Sequence, residues 1–162
     1  MRTTRQFPCS AGRVWPLLCE SEIVPSRHVP FLPGVPRPVA CRLPGGEGGV
    51  GAERACISDG GVVHQRITEW TPEHRLAFRM ERTDLPFRRL VEEVVDTIVL
   101  RSNPSGVEVT RTTSVKVSGP LRLLKGALVS LGVKQVHRYV FRSWVRSASV
   151  RTGVPTALAA PA

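Results

Sequence analysis

The stretch GEGGVGAERACISDGGVVHQRITEW, residues 46–70, decides the fold, because its glycines have two readings. Gly46, Gly48 and Gly51 satisfy G-x-G-x-x-G, the spacing that cradles a pyrophosphate. That mechanism needs a strand before the glycines and a helix after them, so that the helix N-terminus meets the phosphate. Here Pro44 precedes the glycines, alternating residues follow, and no Gly-Lys-Ser/Thr is near. The match is accidental on this reading. Asp59-Gly60-Gly61, between two alternating runs, is instead a hairpin signal.

Working outward, the same pattern continues. TPEH (71–74) connects to RLAFRMER, a loop through Asp84-Leu85-Pro86 leads to RRLVEEVVDTIVLRS, and Asn103-Pro104-Ser105-Gly106 turns the chain into VEVTRTTSVKV. Strands joined by short loops with no helix between them exclude a parallel βαβ sheet. After Pro120 the period changes. Leu121, Leu124, Leu128 and Leu131 fall at helical spacing, and Val136, Val140 and Trp144 continue a neighbouring stripe, predicting one long helix from about 120 to 149. Upstream, residues 2–8 form a first strand and Ser10 an N-cap, with Pro16 shortening or delaying the helix behind it. A second brief helical piece is expected over 21–27. The class is α+β: a curved antiparallel β-sheet with a long C-terminal α-helix and one or two short helices after the first strand. Residues 1–150 form one domain, and 151–162 a disordered tail without charge or pattern beyond Arg151. The Pro/Gly-rich stretch 31–51 is neither a linker, since too little precedes it to fold alone, nor a phosphate loop. It is left as a rim.

Composition narrows the partners. The chain has 162 residues and a net charge of +10, carried by 20 Arg and 3 Lys scattered from Arg2 to Arg151. No run of five like charges and no nucleic-acid motif with interleaved aromatics accompanies them, which argues against nucleic acid. The longest apolar window, GALVSLGV (126–133), is too short to span a bilayer, and no secretory signal pattern opens the chain. Cys9, Cys19, Cys41 and Cys56 form no Cys-x-x-Cys pair, and the histidines complete no zinc pattern. The expectation is reduced cysteines in a cytoplasmic protein, with no metal and no cofactor.

Three segments carry a family resemblance. FPCSAGRVWPLL (7–18) resembles the start of the START-like, polyketide-cyclase/dehydrase superfamily (SRPBCC). GGVGAER (48–54) and ITEWTPEHRLAF (67–78) resemble its middle, and the long terminal helix fits its end. The resemblance spans residues 3 to 149. It implies a helix-grip fold, in which the sheet wraps the C-terminal helix around a cavity for a small hydrophobic molecule, a lipid or polyketide-like compound. The Pro/Gly stretch would carry the cavity mouth.

Alternation then assigns faces. With Asp59-Gly60-Gly61 and TPEH as turns, Ala55, Ile57, Val63, Gln65, Ile67, Leu76, Phe78 and Met80 share the helix-facing side. Arg54, His64, Arg66, Thr68, Arg79 and Glu81 share the solvated side. On the last strand Arg111 stands among Val107, Val109, Thr113, Val115 and Val117. Such a buried charge needs a partner: Glu92, Glu93 or Asp96 of the preceding strand, or a carboxylate or carbonyl on a ligand. The expected ligand-binding residues are Phe31, Gln65, Phe78, Met80, Arg111 and Tyr139. No nucleophile elbow or His-Glu-x-x-His helix is present, so no catalytic residue is assigned. His28, before the rim, and Tyr139 are the groups able to move a proton if the protein is a cyclase, aromatase or dehydratase. A basic-surface interaction module is the remaining alternative.

Overall fold

The structure, a computed structural model, describes residues 1–24, 31–117, 119 and 122–152. One eight-stranded antiparallel sheet is formed by β1 (Arg2–Phe7), β2 (Ser21–Glu22), β3 (Pro38–Arg42), β4 (Glu53–Ser58), β5 (Gly61–Thr71), β6 (Arg75–Thr83), β7 (Val91–Asn103) and β8 (Gly106–Val117). Its strand order is β1-β8-β7-β6-β5-β4-β3-β2. Two helices accompany it, α1 (Ala11–Cys19) and α2 (Arg122–Thr152), and a short 3-10 turn, Pro86–Arg89, precedes β7. This is the expected helix-grip arrangement. β1 closes onto β8 across nearly the whole sequence, pairing Thr3 with Arg111 and Phe7 with Val107. The core gathers Phe7, Val14, Leu18, Ile67, Leu76, Phe78, Ile98, Val107, Phe141 and Trp144 between the sheet, α1 and α2.

Several local expectations are corrected. Ser21–Glu22 is a strand paired with β3, not the start of a helix, and Pro25 to Pro30, including His28, lie outside the described residues. α1 runs through Pro16, because Pro16 sits on the solvent side of a helix whose buried residues are Ala11, Val14, Leu17, Leu18 and Cys19. The stretch 31–51 is only partly a rim, since Pro38–Arg42 is β3, paired on both sides. Its proline stands at the first strand position, where a missing N–H costs little. α2 continues to Thr152, so the first two residues of the expected 151–162 tail are helical, and residues 153–162 lie outside the described residues.

The glycine question resolves through packing. From Gly51 the chain passes into β4, not a helix. A Cβ on Gly48 would lie 2.0 Å from the Trp70 ring, which itself meets Trp15 edge-on at 5.1 Å between centroids. Gly48 therefore lets the indole lie against the backbone.

Candidate functional site

Directly opposed residues of an antiparallel pair share a face, so the register defines the inner surface. Only Asp59 and Gly60 form the β4–β5 loop, because Ser58 already pairs with Gly61; Arg54 thus opposes Gln65, and Cys56 opposes Val63. The sequence reading counted three turn residues, and a one-residue slip flips every side chain of a strand. Arg54 is accordingly on the helix-facing side, 2% exposed, while Ala55 pairs with His64 on the other. On β6 a register shift at His64/Gln65 preserves the inner row, with Gln65 opposite Met80 and Ile67 opposite Phe78. Cys41 opposes Cys56, Phe78 opposes Asp96, and Asp96 opposes Thr113.

Two polar groups result. In the first, the Arg54 guanidinium lies 4.6 Å above the centre of the Phe78 ring, a cation–π geometry. Its Nη1 donates to Gln65 Oε1 at 2.6 Å and to Cys56 Sγ at 2.8 Å, and its Nη2 donates to the Leu18 carbonyl at 3.0 Å in the last turn of α1. Its Nε is buried with no hydrogen-bond partner among the described residues. Among the described residues no carboxylate stands within ion-pair distance of Arg54. The Cys41 and Cys56 thiols are free, with sulfurs 2.8 Å apart. The hydrogen bond from Cys56 holds Cys41 below the usual thiol value against the opposing effect of burial, and the Arg54 charge adds to it.

In the second group, Arg111 donates from Nε and Nη2 to the two oxygens of Asp96 at 2.8 and 3.0 Å. Burial alone would raise the Asp96 carboxyl. The Arg111 charge and the hydrogen bonds from Arg111 and Thr113 outweigh it and hold the group below the ordinary carboxylate value. The Thr113 hydroxyl donates to Asp96 and so accepts from His137 Nε2 at 2.7 Å. That fixes the tautomer: Nδ1 of His137 is bare and accepts from the Thr3 hydroxyl at 3.0 Å. Burial, reinforced by Arg111, pushes His137 down to about 3.

The six expected site residues fall into three places. Gln65 and Phe78 contact Arg54, and Met80 stands opposite Gln65 on the next strand. Arg111 is held by Asp96. Phe31 and Tyr139 meet edge-on at 5.0 Å, with Arg37 over the Phe31 ring at 5.1 Å. Arg54, Cys41, Cys56 and His137 were missed. Counting the β4–β5 turn as two residues would have placed Arg54 and Cys56 inside. His137 lies three and seven residues before the buried Val140 and Trp144, which was its available signal. Two clefts lined by described residues lie elsewhere. One, about 500 Å³, lies beside the β7–β8 turn with Cys9 and Ser10; the other, about 280 Å³, lies between β8 and α2 with Met1, Val129 and Val133. Among the described residues no cluster of His, Cys, Asp or Glu could hold a metal ion, and no helix is long and apolar enough to cross a membrane.

Comparison with solved structures agrees with this geometry. A protein from Nitrosomonas europaea superposes with a TM-score of 0.64 at 16% identity, covering 94% of this chain and 95% of that one. Ara h 8.0201 gives 0.63 at 14%, over 91% and 95%. A point mutant of Thalictrum flavum norcoclaurine synthase, in complex with a transition-state analogue, gives 0.60 at 15%, over 94% and 94%. At such identities the likeness is one of fold. No curated protein sequence matches the chain. The family profile described as polyketide cyclase/dehydrase and lipid transport matches residues 1–148, and with the helix-grip fold and its buried polar inner face this shows that the chain belongs to that family of small-ligand proteins.

Proposed function

We propose that the protein binds a small apolar molecule carrying an anionic or strongly polarised oxygen, a lipid or polyketide-like compound, between the sheet and α2. The observation that carries this reading is Arg54, a guanidinium 2% exposed, with no carboxylate partner and no partner for Nε among the described residues. A buried charge is costly unless paired. Arg54 and Arg111 bring two positive charges to the inner face and Asp96 one negative, so one positive charge needs an anion. A ligand carboxylate supplies it.

In this assignment Arg54 and Gln65 hold the ligand's polar end, the Gln65 amide nitrogen having no partner among the described residues. Phe78, Met80, Phe31 and Tyr139 supply apolar walls. Arg111, occupied by Asp96, adds charge at longer range. The cyclase, aromatase or dehydratase alternative gains no comparable support, since both His137 ring nitrogens are engaged by threonines. Four free thiols fit a reducing compartment, which supports a cytoplasmic location.

Titration with a fluorescent long-chain carboxylic acid and with its methyl ester tests the assignment. The acid should bind the wild type at least about tenfold more tightly than the ester, the scale of a charge-assisted hydrogen bond. Arg54→Met should erase that preference. Equal binding of acid and ester by the wild type overturns the assignment of Arg54 as the anchor.

A further inference from the structure

The leucines of α2 were expected to run beside the stripe of Val136, Val140 and Trp144. They do not face the sheet. Leu123, Leu124, Leu128 and Leu131 are 90%, 60%, 62% and 51% exposed, whereas Val140 and Trp144 are 4% and 1% exposed. The reason lies in the helical period: Leu124 to Val140, or Leu128 to Trp144, is a step of sixteen residues, about 160° around the axis. Between Leu128 and Leu131, Val129 faces the β8 strand instead, lining the cleft there with Val133.

The outward face of α2 therefore has its own sequence. Leu124, Leu128 and Leu131 occupy its first half over about 10 Å of axis, and after a gap of about 10 Å Arg138, Arg142 and Arg146 continue the same line over about 12 Å. Arg138 and Arg142 are exposed and make no ion pair among the described residues. All 31 residues of α2 include seven Arg or Lys and no Asp or Glu. The loop before β3 extends the apolar half. The Leu32 amide donates to Gln135 Oε1 at 3.1 Å, and the Leu32 side chain is 43% exposed. Val35 packs against Gly132 one turn earlier.

We infer that this face docks on an anionic lipid bilayer. Leucines in line with arginines, on a helix without a single acid, match an interface with acyl chains beneath and phosphates at its level. The complementarity selects an anionic surface over a neutral one. The leucines enter the boundary between headgroups and chains while Arg138 and Arg142 meet lipid phosphates, and the exposed Leu32 beside Gln135 lies at the same plane. Docking there sets the interior beside a reservoir of apolar molecules. The inference stands on the outward face alone and does not depend on what the interior holds.

Flotation with vesicles tests it, using phosphatidylcholine alone and phosphatidylcholine mixed with phosphatidylglycerol. The wild type should float with the mixed vesicles and remain below with the neutral ones, and added salt should release it. Leu124→Gln/Leu128→Gln, at positions already exposed, should keep the wild-type melting temperature and lose at least about tenfold in partitioning, and Arg138→Glu/Arg142→Glu should lose the preference for the mixed vesicles. Three outcomes overturn the inference: no flotation with either vesicle, flotation unchanged in the leucine variant, or a wild-type dimer that the leucine variant splits while neither form floats. The last would show that a second copy covers the face. Native mass spectra of the same variants keep the two readings separate. A co-purifying small molecule in a leucine variant that no longer floats leaves ligand binding intact, and the converse holds for an Arg54 variant that still floats.

Discussion

Acidification should weaken this protein through His137, at a higher pH than the range in which Asp96 contributes. The ring is fully buried, donates from Nε2 to Thr113 and accepts at Nδ1 from Thr3. Burial and the Arg111 charge hold its folded value at about 3, against about 6.5 in an unfolded chain. Above pH 6.5 both states are neutral and the full stability is present. Below it the unfolded chain takes a proton that the folded protein refuses, so stability falls as pH falls toward the folded value. The slope approaches about 1.4 kcal/mol per pH unit, giving a loss of about 2.3 kcal/mol between pH 6.5 and 4.5. That is a large share of a typical domain stability of about 5–15 kcal/mol. Asp96, whose folded value is also depressed, acts in the same direction only at lower pH, below its unfolded value of about 3.9. Urea unfolding at pH 6.5, 5.5 and 4.5 reads the effect. His137→Gln retains a donor and an acceptor at this site, cannot titrate, and should flatten the dependence over this window. A wild type equally stable at pH 6.5 and 4.5, or a variant with the wild-type slope, would refute the reasoning.

Two further outcomes follow from buried geometry. Arg111→Met strands the Asp96 carboxylate and should cost about 3–5 kcal/mol, while Arg111→Met/Asp96→Leu should recover much of it; strictly additive losses in denaturant unfolding would deny the pair its coupling. Gly106→Ala forces a Cβ to 2.1 Å from the Phe7 carbonyl oxygen at a backbone φ of +124°. The loss should be at least about 2 kcal/mol, read as a fall in melting temperature of about 4 °C or more.

The fold was legible because its signals are local. Hairpin turns, alternation along β5 to β8 and the change of period after Pro120 each occupy a few neighbouring residues. The face of Arg111 was legible for the same reason, since β8 is regular from Val107 to Val117. What the sequence concealed depends on counting across a turn or around a helix. One residue in the Asp59–Gly60 loop moved Arg54 and Cys56 from solvent to interior. On α2 two apolar stripes on opposite sides look adjacent when written in line, so the outward leucines were read as a neighbour of the Val136, Val140 and Trp144 stripe. β3 was hidden in the 31–51 stretch because prolines and glycines on either side masked five residues of strand. The choice of Asp96 over Glu92 or Glu93 as the Arg111 partner required the register, where Asp96 shares the inner face with Ile98 and Leu100.

The central claim is that the interior holds an acidic or carbonyl-bearing apolar molecule at Arg54. Native mass spectrometry of the freshly purified protein tests it most directly, with Arg54→Met prepared alongside. The wild type should carry a small-molecule adduct that is released on denaturation and identified by its mass. Arg54→Met should fold, with a melting temperature lowered by the loss of the hydrogen bonds to Gln65 and the Leu18 carbonyl, and should lack the adduct. An adduct retained undiminished in Arg54→Met, or one with no oxygen able to accept a hydrogen bond, would contradict the account.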